Sequence, residues 1–169
     1  MKKYKTQLLA ITLSILFWIL CFQCSAQTKN KEVDKIYQSV DLYHLQSNPI
    51  LYKFIEEWHG TPYRLGGTNK RGIDCSQFNK RLYKDVYNKD LENTAQKQWN
   101  QTIRIPEACL EVGDLVFFRS KISPSGWHTG VYIGNTFFVH AANKIEGVKV
   151  SSIEEARYRN SLRGYGRLK

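Results

Sequence analysis

The sequence predicts an α+β fold, and three observations carry that expectation. Apolar residues recur at helical spacing in the first two thirds of the chain. Short β-branched and aromatic runs such as Leu115-Val116-Phe117-Phe118 and Phe137-Phe138-Val139 crowd the last third. Tight turns separate those runs, too short for parallel crossovers, so the sheet should be antiparallel with the helices segregated from it. The 169 residues suffice for one domain with a real core, and 42% hydrophobic against 24% charged residues argues against disorder. The 13% aromatic content suits a core first and an extended polar ligand second.

The N-terminus reads as a targeting segment. Lys2, Lys3 and Lys5 precede an apolar run from Leu8 to Phe22, which is shorter than the ~20 residues a membrane span needs. Cys24-Ser25-Ala26 places small residues for cleavage before Gln27, giving a signal peptide over residues 1–26. A rival reading makes Cys24 a lipidated first residue and hence a membrane tether. Gln23 before it argues against that, because a lipoprotein signal takes a small residue there. Either way the protein is expected to be exported, to the periplasm or outside the cell. Residues 27–47 are a polar leader and a first helix, with apolar positions 33, 36, 37 and 40; residues 48–169 form the main domain.

The mature chain carries 22 Lys+Arg against 15 Asp+Glu, a net of +7, once three lysines leave with residues 1–26. That charge fits an anionic polymer or a merely solvated basic surface. No run of five Lys/Arg and no nucleic-acid motif is present, so nucleic acid is not an expected partner. Only Cys75 and Cys109 remain after cleavage, which excludes a disulfide scaffold. Cys109, beside Ala108 and Leu110, is expected to be a buried or semi-buried spectator.

Along the domain, Asn48-Pro49 is a helix start, with Asn as N-cap and Pro at the first helical position. That helix carries Ile50, Leu51, Phe54, Ile55 and Trp58, and Gly60 stops it. Thr61 to Thr68 is rich in breakers and reads as a loop that runs up to Asp74-Cys75. From Ser76 to Tyr87, Phe78, Leu82 and Val86 mark one buried stripe of a helix. Asn93 to Trp99 is a short helix or turn. Strands are expected at Leu115–Phe118, Val131–Ile133, Phe137–Val139, Val148–Val150 and Gly164–Leu168. Ser151 or Ser152 should cap a brief helix running through Ala156.

Three residues in this frame bear chemistry. Cys75 opens the Ser76–Tyr87 helix, where the helix dipole favours thiolate over thiol. His128 enters one strand and His140 ends the next. Pairing Val131-Tyr132-Ile133 with Phe137-Phe138-Val139 brings those ends together. One imidazole can then take a thiol proton while the other fixes its tautomer. Each residue also has a plain structural reading: a buried small hydrophobe, an exposed loop histidine, a half-buried histidine bonded to backbone. A metal site is disfavoured, because close ligand spacing of the structural zinc type is missing. No cofactor is implied. His44 and His59 are read as incidental.

Taken together, Gly60-Thr61-Pro62-Tyr63 with Gly66-Gly67, then Asp74-Cys75-Ser76 and Phe78, Gly113-Asp114-Leu115-Val116-Phe117-Phe118, His128-Thr129-Gly130-Val131-Tyr132-Ile133-Gly134 and Phe138-Val139-His140-Ala141 resemble the NlpC-type bacterial cell-wall cysteine peptidases. The resemblance spans roughly residues 50–168. It implies a papain-like fold, with helices packed on an antiparallel sheet. It implies Cys75 as nucleophile, His128 as general base and His140 as the orienting third residue. Tyr63 matches a tyrosine beside the nucleophile that helps hold oxyanion or substrate, and Asp74 and Ser76 match residues lining the stem-peptide pocket. The implied reaction is hydrolysis of a peptidoglycan stem-peptide bond between a D-residue and a diamino acid, by a monomer. Rival functions are a non-catalytic wall-binding module, an exported antibacterial wall-degrading toxin, and an amidase or acyl-transferase using the same residues. Gln77 stands where the family has glycine, and Asn93-Thr94-Ala95 with Gln98 lacks an arginine common there.

Overall fold

The computed structural model describes residues 48–169, with Ile15 alone before them. The cleavage site, Cys24, the Val33–Tyr43 helix and His44 therefore lie outside the described residues. The chain divides into two compact units, Met1–Gln38 and Ser39–Lys169; the fold below belongs to the second. Among the described residues no helix is long and apolar enough to cross a membrane.

Helix α1 (Pro49–Trp58) starts as expected: Asn48 Oδ1 accepts from the Leu51 amide at 3.2 Å, with Pro49 at the first helical position. Its buried face carries Leu51, Tyr52, Phe54, Ile55 and Trp58. A two-residue hairpin follows, β1 (Thr68–Asn69) with β2 (Gly72–Ile73), in the stretch expected to be loop. Helix α2 (Cys75–Tyr87) buries Phe78, Asn79, Leu82 and Tyr83, whereas Val86, expected on the buried stripe, is half-buried. Phe54, Trp58 and Phe78 pack ring to ring, with centroids 5.5 to 6.3 Å apart, and lock α1 onto α2. Helix α3 (Ala95–Gln101) is capped by Thr94 Oγ1, which accepts from the Lys97 amide.

The rest is one antiparallel sheet: β3 (Thr102–Ile105), β4 (Leu115–Arg119), β5 (Trp127–Gly134), β6 (Phe137–Ala141), β7 (Val148–Ser152) and β8 (Leu162–Leu168), in spatial order β3-β8-β4-β5-β6-β7. Between β7 and β8 lies α4 (Ala156–Arg159). The helix expected to run through Ala156 instead begins there. Ser152 stays in the strand, and its Oγ accepts from the Glu154 amide at 3.1 Å across the intervening turn. Strand β3 was not foreseen; its only signal is alternation in Thr102-Ile103-Arg104-Ile105. Cys109, expected to be covered, is exposed in a single 3₁₀ turn, Glu107–Cys109.

The sheet is packed on both faces, so its strands read as continuous apolar runs. Val116, Phe118, Phe138, Ile153, Tyr158 and Tyr165 form one core, into which α4 delivers Tyr158. Leu115 and Phe117, which alternate with Val116 and Phe118, point to the opposite face. Helix α2 packs on β5 and β6.

Candidate active site

Two supports bring the chemistry-bearing residues together. The first is the start of α2. Asp74 is its N-cap: Oδ1 accepts from the Gln77 amide at 2.9 Å and from Ser76 Oγ at 2.8 Å. Its other oxygen accepts from the Gly66 amide at 2.9 Å, clamping the preceding loop. Tyr63 pairs with Ile73 in an isolated parallel bridge. Burial pushes the Tyr63 phenol up to about 12, and negative charge at Cys75 or Asp74 adds to that, so the phenol stays protonated.

The second support is the β5–β6 hairpin. Asn135 and Thr136 turn it at φ 48° and 67°, the left-handed pair that a two-residue primed turn requires. Val131 pairs with Val139 and Tyr132 with Phe138, as expected, and a bulge at Ile133 precedes the Gly134–Phe137 pair. Continuing that register sets Gly130 opposite His140 and leaves His128 diagonal to it. A Cβ at Gly130 would fall 2.6 Å from Phe138 Cδ2 and 3.0 Å from His140 Cβ. The missing side chain leaves room for the diagonal ring. His128 Nε2 lies 2.6 Å from His140 Nδ1, the rings near perpendicular at 76°. His140 Nε2 in turn meets Ser151 Oγ and Tyr158 Oη, each at 3.2 Å.

The two supports meet beside Cys75, where α2 packs on β5. Backbone N–H groups of Thr129, the residue after His128, of Ser76 and of Cys75 itself act to lower the pKa of the thiol. A buried polar chain bolts helix to sheet behind it. Asn79 Nδ2 donates to Thr129 Oγ1 at 3.0 Å, and Gln98 Nε2 donates to the carbonyls of Ser76 and Glu92, each at 2.8 Å. Asn79 and Thr129 escaped the sequence reading. Their signal was a polar residue beside Phe78 on a buried stripe, and a threonine between His128 and Gly130 in a strand. Gln77 Nε2 donates to the Asn93 carbonyl at 2.9 Å, which tethers the segment ahead of α3.

One electrostatic expectation is reversed. The helix start was expected to favour thiolate, but the Cys75 thiol is pushed up to about 12, by burial first and by the Asp74 carboxylate second. The three amides pull the other way and lose. Burial also drops His128 to about 4, with the Arg157 charge adding to it. His140 lies well below the usual imidazole range, through burial first, then through the repulsion a protonated His128 would exert and the charges of Lys149 and Arg157. At neutral pH the site therefore holds a thiol and two uncharged imidazoles. Among the described residues no three His, Cys, Asp or Glu converge as a metal site.

This constellation can be set beside known proteins. The NlpC/P60 family profile matches residues 60–167. The chain belongs to the NlpC/P60 family. A "Probable endopeptidase" of Haemophilus influenzae is 33% identical over 153 residues, 90% of this chain and 91% of that protein. The Escherichia coli K12 "Murein DD-endopeptidase MepS/Murein LD-carboxypeptidase" is 35% identical over 131 residues, 78% of this chain and 65% of the relative. A "Probable endopeptidase NlpC homolog" of H. influenzae is 41% identical over 111 residues, and there the chain spans 57% of the relative's length. The solved NlpC/P60 domain of the peptidoglycan hydrolase SagA superposes with a TM-score of 0.59 at 26% identity, covering 71% of this chain and 97% of that one. An NlpC/P60 family protein of Bacillus cereus gives a TM-score of 0.64 at 24% identity, covering 71% and 39%, and so speaks to the fold. The α+β, papain-like architecture expected from sequence is the one this chain has.

Proposed function

We propose that this chain is a peptidoglycan hydrolase, a cysteine endopeptidase that cleaves a stem-peptide bond between a D-residue and a diamino acid. The reading is carried by one observation: His128 and His140 in contact on neighbouring strands, with Thr129, next to His128, bonded to Asn79 on the helix that Cys75 opens. Family membership and relatives named as endopeptidases support it.

The neutral resting site dictates the order of events. As the Cys75 sulfur attacks the scissile carbonyl, His128 takes the thiol proton at Nδ1, its Nε2 being engaged with His140. The proton moves because the carbonyl is accepting the sulfur's electron pair, not because a thiolate was stored beforehand. The amides of Cys75 and Ser76 and the protonated Tyr63 phenol are the donors for the developing oxyanion. His128 then protonates the leaving amine, and water, deprotonated by His128, releases the acyl group from Cys75. Asp74 and Ser76 line the stem-peptide pocket. The enzyme acts as a monomer, outside the cytoplasm, after loss of residues 1–26 or on a lipid tether at Cys24.

A second reading is favoured by the raised thiol of about 12, which is unusual for a nucleophile: a binding module that keeps the groove and does not turn over. Mass spectrometry of defined muropeptides incubated with the protein separates the two. Soluble products are expected from the parent, and a loss of about 10³-fold or more in Cys75→Ala and His128→Ala with unchanged circular dichroism. Retention on sacculi with no product released, or Cys75→Ala cleaving as fast as the parent, overturns the enzyme reading.

A further inference from the structure

We infer that Ser151 and Tyr158, through the hydroxyls they turn toward His140 Nε2, set the tautomer of the His128–His140 pair and so keep His128 in its proton-accepting form. This rests on the assignment of His128 as base, and names two positioning residues for it.

The argument is one of counting protons. The 2.6 Å contact between His128 Nε2 and His140 Nδ1 holds a single proton, owned by one ring or the other. If His128 owns it, Nδ1 of His128 is a free lone pair able to receive the thiol proton. If His140 owns it, His128 must carry its own proton on Nδ1 and is useless as a base. The first arrangement obliges His140 to bear its remaining proton on Nε2. His140 is 1% exposed, and a buried N–H without an acceptor is costly.

Ser151 Oγ and Tyr158 Oη are the hydroxyls within reach, each at 3.2 Å and each able to accept, and among the described residues they are the hydrogen-bond partners of Nε2. Ser151 directs its own proton to Tyr158 Oη at 3.5 Å, which leaves the serine lone pairs for the imidazole. Among the described residues, Phe138, which also packs on the ring, cannot accept: it lies 4.6 Å away, centroid to centroid, and Phe118 packs in turn against Phe138 and Tyr158. Arg157 sits over the Tyr158 ring at 4.6 Å and is held there by Glu146. Its charge, with that of Lys149, works against an imidazolium. With the pair kept neutral, the variable left to control is which nitrogen bears the proton.

The test uses the full chain with ¹⁵N-labelled histidine at pH 7.5, with muropeptide kinetics alongside. In the parent, His128 Nδ1 and His140 Nδ1 should resonate as unprotonated nitrogens and both Nε2 as protonated ones. The double variant Ser151→Ala/Tyr158→Phe should move the proton of His128 to Nδ1 and lower kcat about 10- to 100-fold, with KM within about twofold. Tyr158→Phe alone keeps the serine acceptor and should stay within about threefold of the parent. Ser151→Thr/Tyr158→Phe restores a hydroxyl and should recover both shifts and kcat. A protonated His128 Nδ1 in the parent overturns the inference by itself, whether or not the double variant folds. Parent-like shifts with kcat within about twofold in the double variant also overturn it. The shifts report the tautomer even if Cys75→Ala proves active, so failure of the enzyme reading and failure of this one are told apart.

Discussion

His140 is buried as a neutral ring between Phe138 and Tyr158, and His128 is half-buried against Phe118. Both fall below the usual imidazole range in the folded protein, His128 to about 4, with His140 also held well below its ordinary value. A group whose folded pKa is depressed takes up its proton more readily when the chain unfolds. Stability is therefore complete above the ordinary histidine pKa of about 6.5 and is lost as pH falls from there toward the folded values. His140 loses stability in this way between pH 8 and pH 5, and His128 adds in the same direction, moderated by the water that reaches its ring. Glu146, lowered to about 2 by Arg157 first, titrates below this window and does not confuse it. Urea unfolding at the two pH values, at fixed ionic strength, should show that decrease. Equal stabilities would mean that the imidazoles charge freely in the folded state, and the neutral resting site would have to be abandoned.

The start of α2 shows a capping residue with two opposed effects. Asp74 satisfies the Gln77 and Gly66 amides, yet its charge helps to raise the Cys75 thiol. Asp74→Asn keeps an oxygen for the cap and removes the charge, but sets an NH2 against the Gly66 amide; it should cost about 1 kcal/mol. Its Cys75 should alkylate faster at pH 8. Asp74→Ala loses the cap as well and should cost about 1–2 kcal/mol. Iodoacetamide labelling with urea titration checks both, and slower labelling of Asp74→Asn would show that the carboxylate helps to activate the sulfur.

Most of this element could be read in the sequence, because caps and stripes are local: Asn48-Pro49, Asp74 before Cys75, and apolar residues at fourfold spacing. The hairpin was legible for the same reason, and with it the meeting of His128 and His140. What could not be read depends on partners distant in the chain. Asn79 on the buried stripe makes sense only once Thr129 is seen 3.0 Å away. The thiol's elevation follows from burial that no local pattern announces. Cys109 was misplaced because apolar neighbours were taken as cover, although in a lone 3₁₀ turn they do not fold over it.

The sheet is assembled out of chain order. Strand β8 lies inside it, between β3 and β4, pairing along Thr102–Ile105 on one side and Leu115–Phe118 on the other. It also supplies Tyr165 to the core that holds Phe138 and Tyr158, and Arg167, which grips the buried Asp114 carboxylate at 2.8 and 2.9 Å. The final residues therefore support the strands that carry the histidines, although they are remote from them in sequence. Contacts this non-local are made late and all together, so the domain should unfold as one unit. Deleting residues 162–169 should abolish cooperative thermal unfolding and the near-ultraviolet dichroism of the packed aromatics, even though Cys75, His128 and His140 all remain. Gly166→Ala is the milder probe, since its Cβ would fall 2.2 Å from Thr102 Oγ1 in the neighbouring strand. It should lower stability by about 1–3 kcal/mol while the transition stays cooperative. A truncated chain that still melts sharply, within about 5 °C of the parent, would mean that the β4–β7 strands and helices fold without β8, and that the site needs only that smaller unit.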